Sequence, residues 1–300
     1  MNRDAVTRGV EHAARQSATV PKLAPLAGLD PDLARSLLAQ VRDLWTHGST
    51  ALEGNTLTLG ETKFVIEEGL TVSGKPLKDH QEVVGHARAI ELIYGLLEDW
   101  PARPVTAEPL FALHRAVQTS IVTDIDKPIG AWKLEPNGTY AVTHDRSQTF
   151  IEYAVPSDVP ALMDTWLAEL NRLGAEPLDE DAALAAYARL HLGFVHIHPF
   201  WDGNGRMARL VANLPVLRAG HLPVVIDVRE RKRYIDTLAA YQLAVGPLTP
   251  ATGVWPRPDL EARFLDLCRD AYAATRALVA AAHAQQAARR PRGHPSEGAR

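Results

Sequence analysis

The chain has 300 residues, 46% of them hydrophobic and 23% charged, and 32 Lys+Arg against 36 Asp+Glu give a formal net charge of -4. That length fits one large domain or two small ones with an ordinary core. The acidic balance speaks against nucleic acid as the main partner, because displacing counterions takes a basic surplus.

The single cysteine, Cys268, excludes an internal disulfide and fits a reducing compartment. The N-terminal stretch MNRDAVTRGVEHAARQ lacks an apolar h-region, and no stretch reaches the ~18 uninterrupted apolar residues of a membrane span. A cytoplasmic chain with no membrane partner is therefore expected.

Residues 1–30 read as a loose polar lead. From Pro31 to Trp45, apolar residues recur at spacings of three and four, which predicts a helix. Thr58 with Glu61 forms a capping-box pattern ahead of Phe64-Val65-Ile66. Further helices are predicted at 81–97, 107–122, 159–173, 180–195, 205–219, 232–242 and 260–283. In the segment 131–143, two short runs flank Asn137-Gly138, the strongest short hairpin signal. The Pro- and Gly-rich connection 246–258 sets off the last helix, and 285–300 reads as a disordered basic tail. The expectation is an all-α helical bundle with one small β-hairpin.

The chemistry concentrates in His198-Pro199-Phe200-Trp201-Asp202-Gly203-Asn204-Gly205-Arg206-Met207-Ala208-Arg209. Two glycines allow a tight turn whose N–H groups share one concavity, and the helix that follows adds the positive end of its dipole. Arg206 and Arg209, three apart, project from one side of that helix and can fork onto phosphate oxygens. Asp202 supplies one carboxylate, too few for an all-protein cage but suited to Mg2+, which takes other ligands from phosphates and water. His198, with an ordinary pKa of about 6.5, is a base at neutral pH. Together these parts describe attack on a phosphate by a deprotonated nucleophile.

The segment resembles the signature of the Fic family, His-Pro-Phe-x-Asp/Glu-Gly-Asn-Gly/Lys-Arg-x-x-Arg, at every fixed position. The resemblance implies an all-helical Fic fold with a β-hairpin flap, and transfer of AMP from ATP onto a Ser, Thr or Tyr hydroxyl of a target protein. It makes His198 the base, Asp202 the Mg2+ ligand, Gly203, Asn204 and Gly205 the anion hole, and Arg206 and Arg209 the phosphate clamps.

Ser49-Thr50-Ala51-Leu52-Glu53-Gly54 is similar to the family's inhibitory motif, whose glutamate comes from a helix and pairs with the second arginine, here Arg209. Asn137, Gly138, Thr139 and Tyr140 stand where the family has its flap, which adds a strand to the incoming target. Tyr234, Ile235 and Gln242 resemble the region that touches the nucleoside, with Tyr234 suited to stacking on adenine or to the core. On this reading residues 31–104 carry the inhibitory motif, 105–246 form the Fic core and 247–284 a helical extension. A homodimer stays open, as family members often dimerise.

Three other readings stay beside this one. With both His198 and Glu53 present, removal of AMP, alone or alongside its transfer, is an alternative. His191, His196 and His198 with Asp202 and Asp227 could form a transition-metal hydrolase site, although His191 and His196 are badly spaced for one helix face and the paired arginines go unexplained. A site that only senses ATP would leave His198 without a task.

Overall fold

A computed structural model describes residues 23–118, 126–142 and 148–289. Ten α-helices are found among them: α1 (Pro31–Ala51), α2 (Leu59–Glu68), α3 (Leu77–Asp99), α4 (Ala107–Val117), α5 (Val159–Ala175), α6 (Glu180–Ile197), α7 (Asn204–Val211), α8 (Leu214–Arg218), α9 (Arg231–Val245) and α10 (Ala262–Arg289). The strands β1 (Gly138–Val142) and β2 (Gln148–Glu152) pair antiparallel. None of the described helices is long and apolar enough to cross a membrane.

The centre of the bundle is α6. It carries apolar residues around its whole circumference, from Ala183 and Leu184 to Phe194 and Ile197, all buried. A helix this apolar must be largely enclosed, and α5, α7, α8 and α10 pack around it. The short α7 lies between α6, α1, α3 and α4, so whatever α7 presents is framed by four helices.

The capping box at Thr58 forms in both directions: Glu61 N–H donates to the Thr58 hydroxyl and Thr58 N–H to the Glu61 carboxylate. Gly69 closes α2 at φ 65°, a left-handed position that glycine adopts without strain.

Several expected boundaries are corrected. The helix expected over 205–219 is two helices, because Pro215 has no N–H to continue the ladder and crowds the preceding turn. Asn213 fills the break, donating to Arg209 C=O at 2.9 Å and Val224 C=O at 3.0 Å. The expected tail from 285 begins as helix: α10 runs to Arg289, where Gln286 accepts from Asp30 N–H at 2.7 Å and Arg289 pairs with Asp32 at 2.7 Å. The same contacts fix the end of the expected loose lead, where Leu23 is buried and Ala24 N–H donates to Gly220 C=O. The rest of both ends lies outside the described residues, and the helix expected over 107–122 ends at Val117 with Gln118 as its cap.

The hairpin exists, but Asn137-Gly138 is not its turn. Gly138 pairs with Glu152 and Val142 with Gln148, so the connection falls at 143–147, outside the described residues. Asn137 instead has side-chain work at the base of the hairpin. Its amide donates to Phe200 C=O at 3.0 Å and its carbonyl accepts from Lys133 Nζ. Those tertiary bonds outweigh its local turn preference.

Candidate active site

His198 caps α6 in the left-handed region (φ 54°, ψ 58°), the one non-glycine with positive φ among the described residues. Such strain at a side chain persists only where its surroundings hold it. Two contacts do so here. Nδ1 lies 3.1 Å from Val195 C=O, and the ring stacks on Tyr153 with centroids 3.8 Å apart and planes 3° off parallel. The bond to a carbonyl places the proton on Nδ1 and leaves Nε2 as the free lone pair. Burial pushes the imidazole down to about 3; the Val195 bond opposes the shift and the Lys133 charge adds to it. The ring is therefore neutral at pH 7, as the sequence expected, by a wider margin.

After His198 the chain folds into a tight loop stapled by Asn204, whose carboxamide accepts from Phe200 N–H at 2.9 Å and donates to Phe200 C=O at 2.8 Å. His114 supports the loop from below. It stacks flat on Phe200 at 3.9 Å, accepts from Gly130 N–H and donates through Nε2 to Asp202 C=O at 3.0 Å. Gly203 (φ 78°) is the N-cap of α7, and the first bond along that helix runs from Met207 N–H to Gly203 C=O. The N–H groups of Asn204, Gly205 and Arg206 thus begin the helix with no carbonyl of their own helix to meet. Asn204 can offer a phosphate its backbone only, because its side chain is spent on the loop.

A cleft of about 180 Å³ opens over this helix start, lined by Glu53, Lys78, Glu82, His198, Asp202 and residues 203–206. The Asp202 carboxylate accepts from Gln118 Nε2 at 2.9 Å and is largely exposed. Partial burial would raise its pKa, but the Gln118 bond and the Arg206 charge hold it below the usual range. Arg206 is buried, donating to Gln118 Oε1 at 2.8 Å and standing 3.7 Å from Glu82.

Arg209 is 2% exposed. Its Nε donates to Ser49 Oγ at 3.0 Å, Nη1 to Tyr234 Oη at 3.1 Å, and Nη2 to Ser49 C=O at 2.8 Å and Glu53 Oε1 at 2.7 Å. Burial would favour the neutral carboxyl at Glu53, yet the Arg209 charge and hydrogen bond outweigh it and lower its pKa. Glu53 also lies against Gly205, where a Cβ would stand 2.4 Å from Oε1. The carboxylate therefore rests on the N-terminal start of α7.

Residues 104–216 match the Fic/DOC family. The chain carries a Fic-family domain. The chain is 31% identical over 216 residues to the protein adenylyltransferase fic-1 of Caenorhabditis briggsae, covering 72% of this chain and 39% of that protein. It is 33% identical over 193 residues to the protein adenylyltransferase Fic of Drosophila persimilis, covering 63% and 34%. It thus spans well under half the length of these curated relatives. Among solved structures, a Fic domain containing signaling protein from Bacteroides thetaiotaomicron superposes with a TM-score of 0.74 at 28% identity, covering 88% of this chain and 94% of that one. The helical Fic fold with its small hairpin is shared with it.

The Fic signature and the Ser49–Glu53 motif, far apart in sequence, meet at Arg209. Glu53 itself sits just beyond α1, on the turn where Glu53 N–H donates to Thr50 C=O, and not within a helix.

The residues expected beside the nucleoside are not among those lining this cleft. Tyr234 is 2% exposed, with its hydroxyl on Arg209. Gln242 is buried and hydrogen-bonds the Tyr153 hydroxyl, and Ile235 is exposed on α9 outside the cleft lining. The imagined metal cluster is dispersed: His191 Nε2 faces the Tyr234 hydroxyl, and His196 Nε2 faces Gly246 C=O.

Sequence reading missed Lys78, Glu82, His114, Gln118 and Tyr153. The first four come from α3 and the end of α4, and no local pattern marks them. Tyr153 lay beyond the hairpin expected over 131–143, and its place directly after β2 shows only in the structure.

Proposed function

We propose that this chain transfers AMP from ATP to a Ser, Thr or Tyr hydroxyl of a target protein, and that Glu53 holds it in a resting state. The observation that carries this reading is the Glu53–Arg209 pair at 2.7 Å, seated on the helix start that would otherwise receive phosphate oxygens. The curated relatives named as protein adenylyltransferases support it.

His198 Nε2 is a neutral base at the cleft and takes the proton of the attacking hydroxyl. Its oxygen bonds the α-phosphorus, and the bond from that phosphorus to the bridging oxygen breaks to release pyrophosphate. The N–H groups of Asn204, Gly205 and Arg206, with the Arg206 guanidinium, stabilise charge moving toward the leaving group. Asp202 fits a Mg2+ ligand: it is ionised and largely exposed at the cleft, which suits an ion that takes its remaining ligands from phosphates and water. That ion would neutralise the phosphates. The exposed Gly138, Thr139 and Tyr140 of β1 offer an edge to an extended target segment.

One observation favours a second reading, hydrolytic removal of AMP. Glu53 lines the same cleft as His198 and stays ionised there, so it could orient a water.

The test is incubation of Glu53→Gly protein with labelled ATP and Mg2+. Label on the protein itself or on a lysate protein, lost again in a Glu53→Gly/His198→Ala double variant, supports transfer. Silence of Glu53→Gly, with loss of AMP from a pre-modified protein by the unaltered chain, would establish the hydrolytic reading instead.

A further inference from the structure

The ring that covers His198 comes from the hairpin, and nothing in the signature calls for it. Tyr153 directly follows β2 and is 6% exposed. Its N–H donates to Asn137 C=O, extending the ladder one step beyond Gly138–Glu152. Its hydroxyl meets Gln242 on α9, and with Ala141 and Ile151 it forms a small apolar cluster against Ala239 of the same helix. The ring is thus held at its backbone, along its side and at its tip before it touches His198.

The same hairpin base is tied to the signature loop. Lys133 N–H donates to Pro199 C=O at 2.9 Å, and Asn137 bridges Lys133 Nζ to Phe200 C=O. The Lys133 ammonium lies 6.0 Å from the Tyr153 ring on that side.

We propose that Tyr153 is a positioning residue for His198, clamping the imidazole face to face so that Nε2 keeps one direction in the cleft. The Val195 bond restrains one ring atom but leaves the plane free to rock about it; the stack fixes the plane. A base must meet its proton within hydrogen-bond reach, and small misplacements of a reacting group cost large factors in rate. This inference rests on the transfer reading for its kinetic consequence, though not for its geometric content.

The test compares Tyr153→Phe and Tyr153→Leu in the Glu53→Gly background. Two readouts are taken: automodification kinetics with labelled ATP, and nitrogen NMR of the His198 ring, assigned by His198→Ala. Tyr153→Leu should lower kcat by about tenfold or more, with ATP affinity changed by less than about threefold, the split that marks a loss confined to the chemical step. Its His198 signals should show a shift and exchange between tautomers. Tyr153→Phe keeps the stack and should restore both readouts to near the Tyr153 values. Should Tyr153→Leu unfold, Tyr153→Met takes its place.

Turnover by the Leu variant equal to that of Tyr153 would overturn the proposal. So would equal damage by Phe, which assigns the effect to the hydroxyl on Gln242. If the Glu53→Gly chain transfers nothing, the transfer reading fails alone, and the NMR decides: unchanged His198 signals in the Leu variant refute the clamp, and altered ones sustain it.

Discussion

Arg209 and Glu53, 156 residues apart in sequence, meet at 2.7 Å, and the arginine is the more firmly held of the two. Its guanidinium is 2% exposed and has three acceptors besides Glu53, on Ser49 and Tyr234. The Glu53 side chain is 41% exposed, and Arg209 is the partner that holds it. The pair is therefore a fixed cation with a removable anion, the asymmetry an inhibitory contact needs.

That asymmetry predicts unequal stability losses. Glu53→Gly should cost about 1–3 kcal/mol, between the values for exposed and buried pairs. Arg209→Ala strands Ser49, Tyr234 and Glu53 together and should cost more than about 3 kcal/mol. Urea denaturation of the two variants checks the order, and a larger loss for Glu53→Gly would show that the carboxylate is the structural member.

Gly205→Ala probes the space that Glu53 fills and that the proposed reading gives to phosphate. The new Cβ would stand 2.4 Å from Glu53 Oε1 and 3.1 Å from Arg209 Nη1, closer than atoms approach without something moving. The half-exposed glutamate is the part free to give way, but the methyl group then occupies ground that a phosphate oxygen would take. In the Glu53→Gly background, Gly205→Ala should weaken ATP binding by about tenfold, roughly 1.4 kcal/mol. Unchanged affinity in an ATP titration would mean the phosphates lie elsewhere.

The sequence displayed the parts of this site that are local. The signature reads directly because a tight turn, a helix start and two arginines must be contiguous to make one phosphate nest, and the Thr58 capping box is legible for the same reason. Parts assembled by tertiary packing were hidden. Tyr234 lies in a helical stretch where stacking partner and core residue look alike, and only the bundle shows it behind Arg209. Asn137-Gly138 carried a turn signal that the loop carbonyls at Phe200 and Trp201 overrode. His114 and Gln118 act on Asp202 from α4 and its cap, far from it in sequence.

Tyr234→Phe should separate filling space from holding Arg209. The ring stays, so no cavity opens. What is lost is the acceptor for Arg209 Nη1 and the hydroxyl facing His191 Nε2, both buried. Leaving buried polar groups without partners costs about 1–3 kcal/mol. The expected outcome is a destabilisation of that size together with a raised KM for ATP in the Glu53→Gly background, since Arg209 is then less well aimed. A variant as stable as the parent would show that the hydroxyl is dispensable.

Acid should unfold this chain early, because of histidines outside the cleft chemistry. His86, His114, His191 and His196 are each 0–1% exposed. Burial pushes His86 down to about 3, His114 and His196 to about 4, and His191 well below its ordinary value. A lowered pKa means that below about 6.5 the unfolded chain binds protons that the folded chain refuses, so stability is full above 6.5 and falls as pH drops toward 4. One pH unit below 6.5, each group costs about 1.4 kcal/mol, and four together approach the 5–15 kcal/mol typical of a whole domain. The lowered carboxylates, Glu53 and Asp202, add to this only below about 4.5, their ordinary range. Thermal midpoints at pH 8.5, 7.5 and 5.5 should be nearly equal for the first pair and fall sharply for the last. In His196→Gln, which keeps a donor toward Gly246 C=O, the fall should be shallower. Equal midpoints at all three values would mean that these imidazoles accept protons without leaving the fold.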